Sequence, residues 1–323
     1  MLQPLVILTG PTAVGKTSLS IALAKATEGE IISADSMQVY RGMDIGTAKI
    51  RPEEMDGVRH HMIDVLDPDE ACDVLTYKRM VTDCIKEITG RGHLPILVGG
   101  TGFYLQAVLY DIAFTEEESG GRTREAVTAF YEAHGKEALY QRLVEVDPEY
   151  AASLSPNNVK KVIRAVEYFE TTGGKLSEHN AREREREAAY NAAYFVLTMD
   201  RQRLYERIDR RVDVMVAEGL VDEVRGLMQQ GYTRDLVSMQ GIGYKEVIDA
   251  LNGECGMEEA IARIKQASRH YAKRQLTWFR RERDVIWFDK EQKKEEEILQ
   301  EMIQILRERG ITKDGADSTD GDL

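Results

Sequence analysis

The sequence predicts an α/β fold, a parallel sheet flanked by helices and interrupted by a helical insertion. Three observations predict it. Short apolar runs at Leu5–Thr9, Glu30–Ala34 and Leu94–Val98 alternate with stretches of helical spacing, as in βαβ units. The first run passes through a glycine-rich turn into a helix with Leu19 and Leu23 on one face. Between about Ala113 and Ala192 the apolar runs stop and helical spacing takes over.

The elements follow in order. His61–Val65, Tyr194–Thr198 and Val285–Phe288 are weaker strand candidates. In the helical block, Asp147-Pro148 sets a cap before a first-turn proline. Val159, Val162, Ile163, Val166 and Phe169 then keep helical spacing until Gly173-Gly174 stops it. After Asp200 a long helix turns Leu204, Ile208, Val212 and Met215 inward, and Gly231 ends the helical region. Its Arg207 and Arg211, four apart, are neighbours on one face. Met257–Arg281 is another long helix, and the polar chain from about Ile311 is expected to be disordered. The expected division is a core over 1–112 and 193–289, a helical insertion over 113–192, and an acidic helical or disordered tail over 290–323.

Composition narrows the class. The 323 residues are 42% apolar and 31% charged, as in soluble globular proteins. No apolar run reaches the ~18 residues of a membrane span. The start, MLQPLVILTG, lacks the basic region of a signal peptide, so a cytoplasmic protein without a membrane is expected. Cys72, Cys84 and Cys255 are scattered without CxxC spacing and offer neither a zinc site nor a disulfide framework. The net charge of −13 argues against nucleic acid, but charge is segregated. Ala260–Asp284 carries eight Lys/Arg against two acids, and Asp289–Leu323 six against eleven.

Three segments carry chemistry. Gly10, Pro11, Thr12, Ala13, Val14, Gly15, Lys16 and Thr17 spell GPTAVGKT, a full GxxxxGKT P-loop between a strand and a helix. Its backbone N–H groups cradle phosphate oxygens, Lys16 reaches the terminal phosphates and Thr17 ligates Mg2+. The predicted fold is therefore P-loop NTPase-like. A cradle binds phosphates without dictating phosphoryl transfer, and the run Leu94–Val98 ends in GGTG where an ATPase needs a metal-binding Asp. Asp35–Lys49, DSMQVYRGMDIGTAK, leaves the carboxyl end of a strand beside that loop. A carboxylate there can take a proton from an attacking amine or alcohol, and an ordinary βα loop is the plain alternative. In HYAKRQLTWFRRER (His270–Arg283), Arg269, Lys273 and Arg280 share a helical face while Tyr271, Trp278 and Phe279 interleave. That pattern suits a phosphate backbone and an unstacked base. The alternative is that Trp278 and Phe279 are core and the charges a solvated face.

With ISADSMQVYRGMDIGTAK, HHMID (His60–Asp64), LVGGTGFYL (Leu97–Leu105), NNVKKVIRAVE (Asn157–Glu167), QGIGYKE (Gln240–Glu246) and KRQLTWFRR (Lys273–Arg281), the chain resembles the tRNA dimethylallyltransferase family of bacterial type from about Leu5 to Phe288. The resemblance implies dimethylallyl diphosphate as donor. As acceptor it implies the exocyclic amine of the adenine just 3′ of the anticodon, flipped into a channel of the protein. Carried over by position, Asp35 matches the general base and Arg211 an arginine at the diphosphate. Asp35, Ser36, Met37 and Gln38 match tRNA contacts. Thr101 and Arg124 match positions near the reacting base. Lys160, Lys161, Val162, Ile163 and Arg164, then Gln240, Gly241, Gly243, Tyr244 and Lys245, then Lys273, Arg274, Gln275, Trp278 and Arg280, match tRNA-contacting segments. The expected partners are the tRNA anticodon stem-loop and the donor, with Mg2+ as cofactor and a monomer needing no protein partner. Rival readings are a P-loop kinase, a non-catalytic RNA-binding module and a prenyltransferase of free adenine nucleotides. ATP turnover without a prenyl donor would mark the kinase, and indifference to loss of Asp35 the module.

Overall fold

The computed structural model describes residues 2–112 and 122–312. The chain divides into two compact units, Met1–Leu109 with Ala189–Leu323, and Tyr110–Ala188. The expected start of the insertion at Ala113, and the tail beyond residue 312, lie outside the described residues.

In the larger unit β1 (Pro4–Thr9), α1 (Lys16–Ala26), β2 (Gly29–Ala34), β3 (His60–His61), α2 (Val74–Gly90), β4 (Leu94–Gly99) and α3 (Gly102–Leu109) precede the insertion. The insertion comprises α4 (Arg122–Val146), α5 (Pro148–Ala152), α6 (Val159–Thr172) and α7 (Leu176–Glu185). The larger unit resumes with β5 (Asn191–Thr198), α8 (Arg201–Ala217), α9 (Leu220–Gln229), α10 (Tyr244–Leu251), α11 (Met257–Phe279), β6 (Val285–Asp289) and α12 (Glu295–Glu308). Among the described residues six strands form one sheet in the order β3-β2-β4-β1-β5-β6, and each pairing between them is parallel. Alternate residues Val6, Leu8, Ile31, Ile96, Phe195 and Leu197 join one apolar cluster, while the intervening Leu5, Ile7, Ile32, Leu97 and Val196 are buried as well. Both faces are thus covered, which is why these strands are continuous apolar runs.

The parallel sheet sets the site. All its carboxyl ends lie on one edge, where open α/β sheets bind ligands. The turn after β1 is the P-loop, Asp35 follows β2, Gly100-Thr101 follows β4 and Lys290 follows β6.

One expectation is corrected and two gain detail. The helical region after Asp200 is two helices: α8 ends at Ala217 and α9 starts after Gly219, whose φ of 106° is left-handed. The strand expected at His61–Val65 is only His60–His61, because Met62 and Asp64 take positive φ values of 62° and 54°. The helical part expected of the tail after residue 290 is α12. Within α12, Ile298, Met302 and Leu306 are fully buried in the main cluster, with Ile311 beyond them.

The insertion has its own core of Val127, Leu139, Leu143, Val162, Val166 and Leu176. Asp147, 1% exposed, is satisfied by Tyr150 N at 3.1 Å and by Ser177 N and Oγ at 2.8 and 2.7 Å. Arg124, Lys160, Lys161 and Arg164 are exposed, whereas Val162 and Ile163 are buried in that core. The side chains of Val162 and Ile163 are therefore taken up by that core, whereas those of Lys160, Lys161 and Arg164 lie on its exposed side. Burial pushes the Glu167 carboxyl up, against the pull of Arg124 and Arg164.

Candidate active site

The P-loop takes its expected form. Gly15 caps α1 with φ 92°, a conformation that favours glycine, and so turns the first free N–H groups of the helix toward the loop. Lys16 donates to Gly10 O at 3.0 Å and Pro11 O at 2.9 Å. Burial and the nearby Arg211 lower its ammonium to about 8, against the opposing Asp35 carboxylate. Burial holds the Arg211 guanidinium below its usual value too.

Two further cations flank the loop. Arg207, one turn before Arg211 on α8, donates to Ala13 O at 2.8 Å. Lys290 reaches Gly15 O at 3.4 Å and pairs with Glu295 at 2.7 Å. Arg207 had a sequence signal, its four-residue spacing from Arg211. Lys290 had none, because it lies far along the chain and meets the loop only through the pairing of β5 with β6.

Asp35 leaves β2 beside this cradle, its Oδ1 accepting from Met37 N at 2.9 Å. Gln38 is held by Ser33 Oγ at 3.0 Å and by Thr47 O at 3.3 Å. The rest of the Asp35–Lys49 segment is clamped by a residue the sequence did not single out. Glu223 on α9 accepts from the backbone N–H of Asp44, Ile45 and Gly46 at 2.9, 2.7 and 3.1 Å, and from Tyr244 Oη at 2.6 Å. Lys49 closes the same segment through Tyr40 O, Asp44 and Asp64. The HHMID motif has a structural use. His61 and Arg91 bond buried Glu30 at 2.6 and 2.8 Å, and against the cost of burial these bonds hold its carboxyl below the usual range.

Cavities of about 530 and 360 Å3 meet at this edge. The first is lined by Lys16, Thr17, Arg207, Arg210 and Arg211. The second is lined by Met37, Met215, Ile242, Tyr244 and Ile264 among others and is less charged. Thr12, Asp35, Thr47, Arg211 and Tyr271 line both, so the carboxylate stands where the two spaces join. Burial and the Asp35 charge push the Tyr271 phenol up to about 12, which keeps it neutral. No cluster of three or more His, Cys, Asp or Glu among the described residues could hold a metal ion. Thr17, which lines the first cavity, is the residue that would hold a divalent ion brought in by phosphate oxygens.

The basic helix α11 departs from its sequence pattern. Arg269 pairs with Asp209 at 2.5 Å, Lys265 with Asp213 at 2.5 Å and Arg263 with Glu259 at 2.6 Å. Lys273, Arg274, Arg280 and Arg281 remain exposed, and Arg274 lies 5.6 Å from the Tyr271 ring. Of the predicted stripe, Lys273 and Arg280 face solvent while Arg269 is spent on α8. Phe279 is fully buried, Trp278 packs edge-on to Phe103 at 6.2 Å, and Gln275 is 5% exposed. The core alternative therefore holds for Phe279, and the Gln275 side chain does not project from the helix. Gln240 is exposed beside the second cavity, while Tyr244 is buried under it.

The profile of the family described as IPP transferase matches residues 38–282. A tRNA dimethylallyltransferase of Lachnoclostridium phytofermentans is 55% identical over 97% of this chain and 100% of its own. The chain belongs to the IPP transferase family. A tRNA dimethylallyltransferase of Bacillus subtilis is 52% identical over 89% of this chain and 91% of its own. The crystal structure of a tRNA isopentenylpyrophosphate transferase from Bacillus halodurans matches with 47% identity and TM-score 0.72, covering 95% of this chain and 98% of that one. A eukaryotic dimethylallyltransferase solved acting on tRNA matches with 28% identity and TM-score 0.80, covering 97% and 81%. No described helix is long and apolar enough to cross a membrane.

Proposed function

We propose that this chain transfers the dimethylallyl group of dimethylallyl diphosphate to the exocyclic amine of the adenine 3′ to the anticodon of tRNA, giving isopentenyladenosine and diphosphate. One observation carries this reading: a cation-lined cavity at the P-loop and a less charged cavity join at Asp35. The first suits a diphosphate and the second a flipped base. The residues then have distinct tasks. Lys16, Arg207 and Arg211 take up the negative charge that develops on the leaving diphosphate as its C–O bond breaks. Asp35 accepts the amine proton as the new C–N bond forms. The junction of the two cavities would align nitrogen, allylic carbon and leaving oxygen. Bound Mg2+ would add Lewis-acid neutralisation of the diphosphate, held by Thr17. Lys273, Arg274 and Arg280 on α11, with Arg124, Lys160, Lys161 and Arg164 of the insertion, are exposed cations suited to tRNA phosphates.

Incubation with bulk tRNA, Mg2+ and dimethylallyl diphosphate should yield prenylated adenosine by mass spectrometry of the digested tRNA. Turnover of labelled ATP without prenyl donor, and no prenylated adenosine, would return the chain to the kinase class.

A further inference from the structure

Gln275 sits in the middle of the basic helix α11, yet its side chain points inward and is 5% exposed. Its amide spans two loops of the active edge. Thr12 N of the P-loop donates to Oε1 at 2.9 Å, and Nε2 donates to Gly100 O after β4 at 3.0 Å. The orientation is fixed by chemistry, because a backbone N–H can meet only the oxygen and a carbonyl only the NH2. Gly100 is part of the arrangement: a Cβ there would lie 2.0 Å from Gln275 Nε2. The same turn is tied to β2, through Thr101 N to Ala34 O at 3.2 Å, one residue before Asp35. The exposed Lys273 and Arg274 immediately precede Gln275 on the helix. One buried amide thus connects the basic helix, the phosphate cradle and the strand end that carries the base.

We propose that Gln275 is a positioning residue that couples tRNA binding on α11 to diphosphate binding in the P-loop. RNA phosphates that fix α11 fix Gln275, which in turn fixes Thr12 and the Gly100 turn in the geometry the diphosphate needs. Buried amides are costly unless both ends are satisfied, so the link transmits position and does not flex freely. Coupling of this kind is reciprocal: each substrate tightens the other by the same factor. The inference rests on the tRNA reading above.

The test uses inorganic diphosphate with Mg2+ and an unmodified anticodon stem-loop RNA, a pair that cannot react. Diphosphate affinity is measured by calorimetry with and without saturating RNA, for the full-length protein and for Gln275→Met and Gln275→Glu. In wild type, RNA should tighten diphosphate about tenfold, within the usual range of such couplings. Gln275→Met should bring the factor below about twofold while its RNA affinity alone stays within about threefold of wild type. Gln275→Glu keeps the acceptor for Thr12 N and loses the donor to Gly100 O, so its factor should be intermediate. Thermal unfolding confirms that each variant is folded. An unchanged factor in a folded variant, or none in wild type, overturns the proposal. A wild-type protein that binds diphosphate but no RNA instead overturns the functional reading on which it rests.

Discussion

Lys16 offers a test in which the sign and the size both come from the structure. Its ammonium is crowded by the loop and faces Arg211, which lowers its pKa from 10.5 to about 8. Holding that charge in the unliganded fold therefore costs about 3 kcal/mol relative to the unfolded chain. Because the folded pKa is the lower one, the unfolded state binds more protons between pH 8 and 10.5. The penalty is complete below pH 8 and disappears as pH rises to 10.5. A diphosphate reverses the situation, since its charge favours the ammonium and lifts the pKa again. Donor binding near pH 9 should therefore take up close to one proton, and affinity should fall up to tenfold per pH unit above about 8. The assay is calorimetry of dimethylallyl diphosphate binding at pH 9 in buffers of different ionisation enthalpy, with Lys16→Met as control. In the stability arm, the difference in unfolding free energy between wild type and Lys16→Met should change by about 3 kcal/mol from pH 8 to 10.5. Proton uptake equal in the two proteins would refute the reasoning.

Three further outcomes are expected. Asp35→Ala should lower kcat about a hundredfold or more with little change in tRNA affinity, and unchanged turnover would remove Asp35 as the base. In a salt series of tRNA retention on filters, Lys273→Ala and Arg280→Ala should each reduce the slope by about one, whereas Arg269→Ala, already paired with Asp209, should leave it nearly unchanged. Glu223→Ala strips the acceptor from three loop N–H groups and from the buried Tyr244 hydroxyl, so urea unfolding should show a loss of about 3 kcal/mol, and a loss near zero would mean water replaces it.

Much of the fold was legible because its signals are local. The runs that became β1, β2 and β4 are apolar throughout since both faces of a parallel sheet are covered, and the P-loop is a contiguous motif whose strand and helix adjoin it. Asp35 was legible for the same reason, as the residue that ends a strand. Periodicity did not show the break at Gly219, because one glycine inside a helical pattern does not announce a left-handed turn. It also left the role of α12 unassigned, because an amphipathic segment in an acidic stretch does not say which surface receives its apolar face.

The sequence by itself determined the chemistry of the phosphate cradle, the parallel sheet that presents it, and the position of the carboxylate beside it. Each is written in residues a few positions apart. Tertiary structure alone decided which charges of the basic helix are available, since Asp209 and Asp213 on α8 neutralise Arg269 and Lys265 from more than fifty residues away. It alone brought Lys290 to Gly15, Glu223 to the loop at Asp44–Gly46, and Gln275 to both Thr12 and Gly100. Such contacts depend on where the chain returns after helices and crossovers, and a pairwise hydrogen bond across that distance leaves no period or spacing in the sequence.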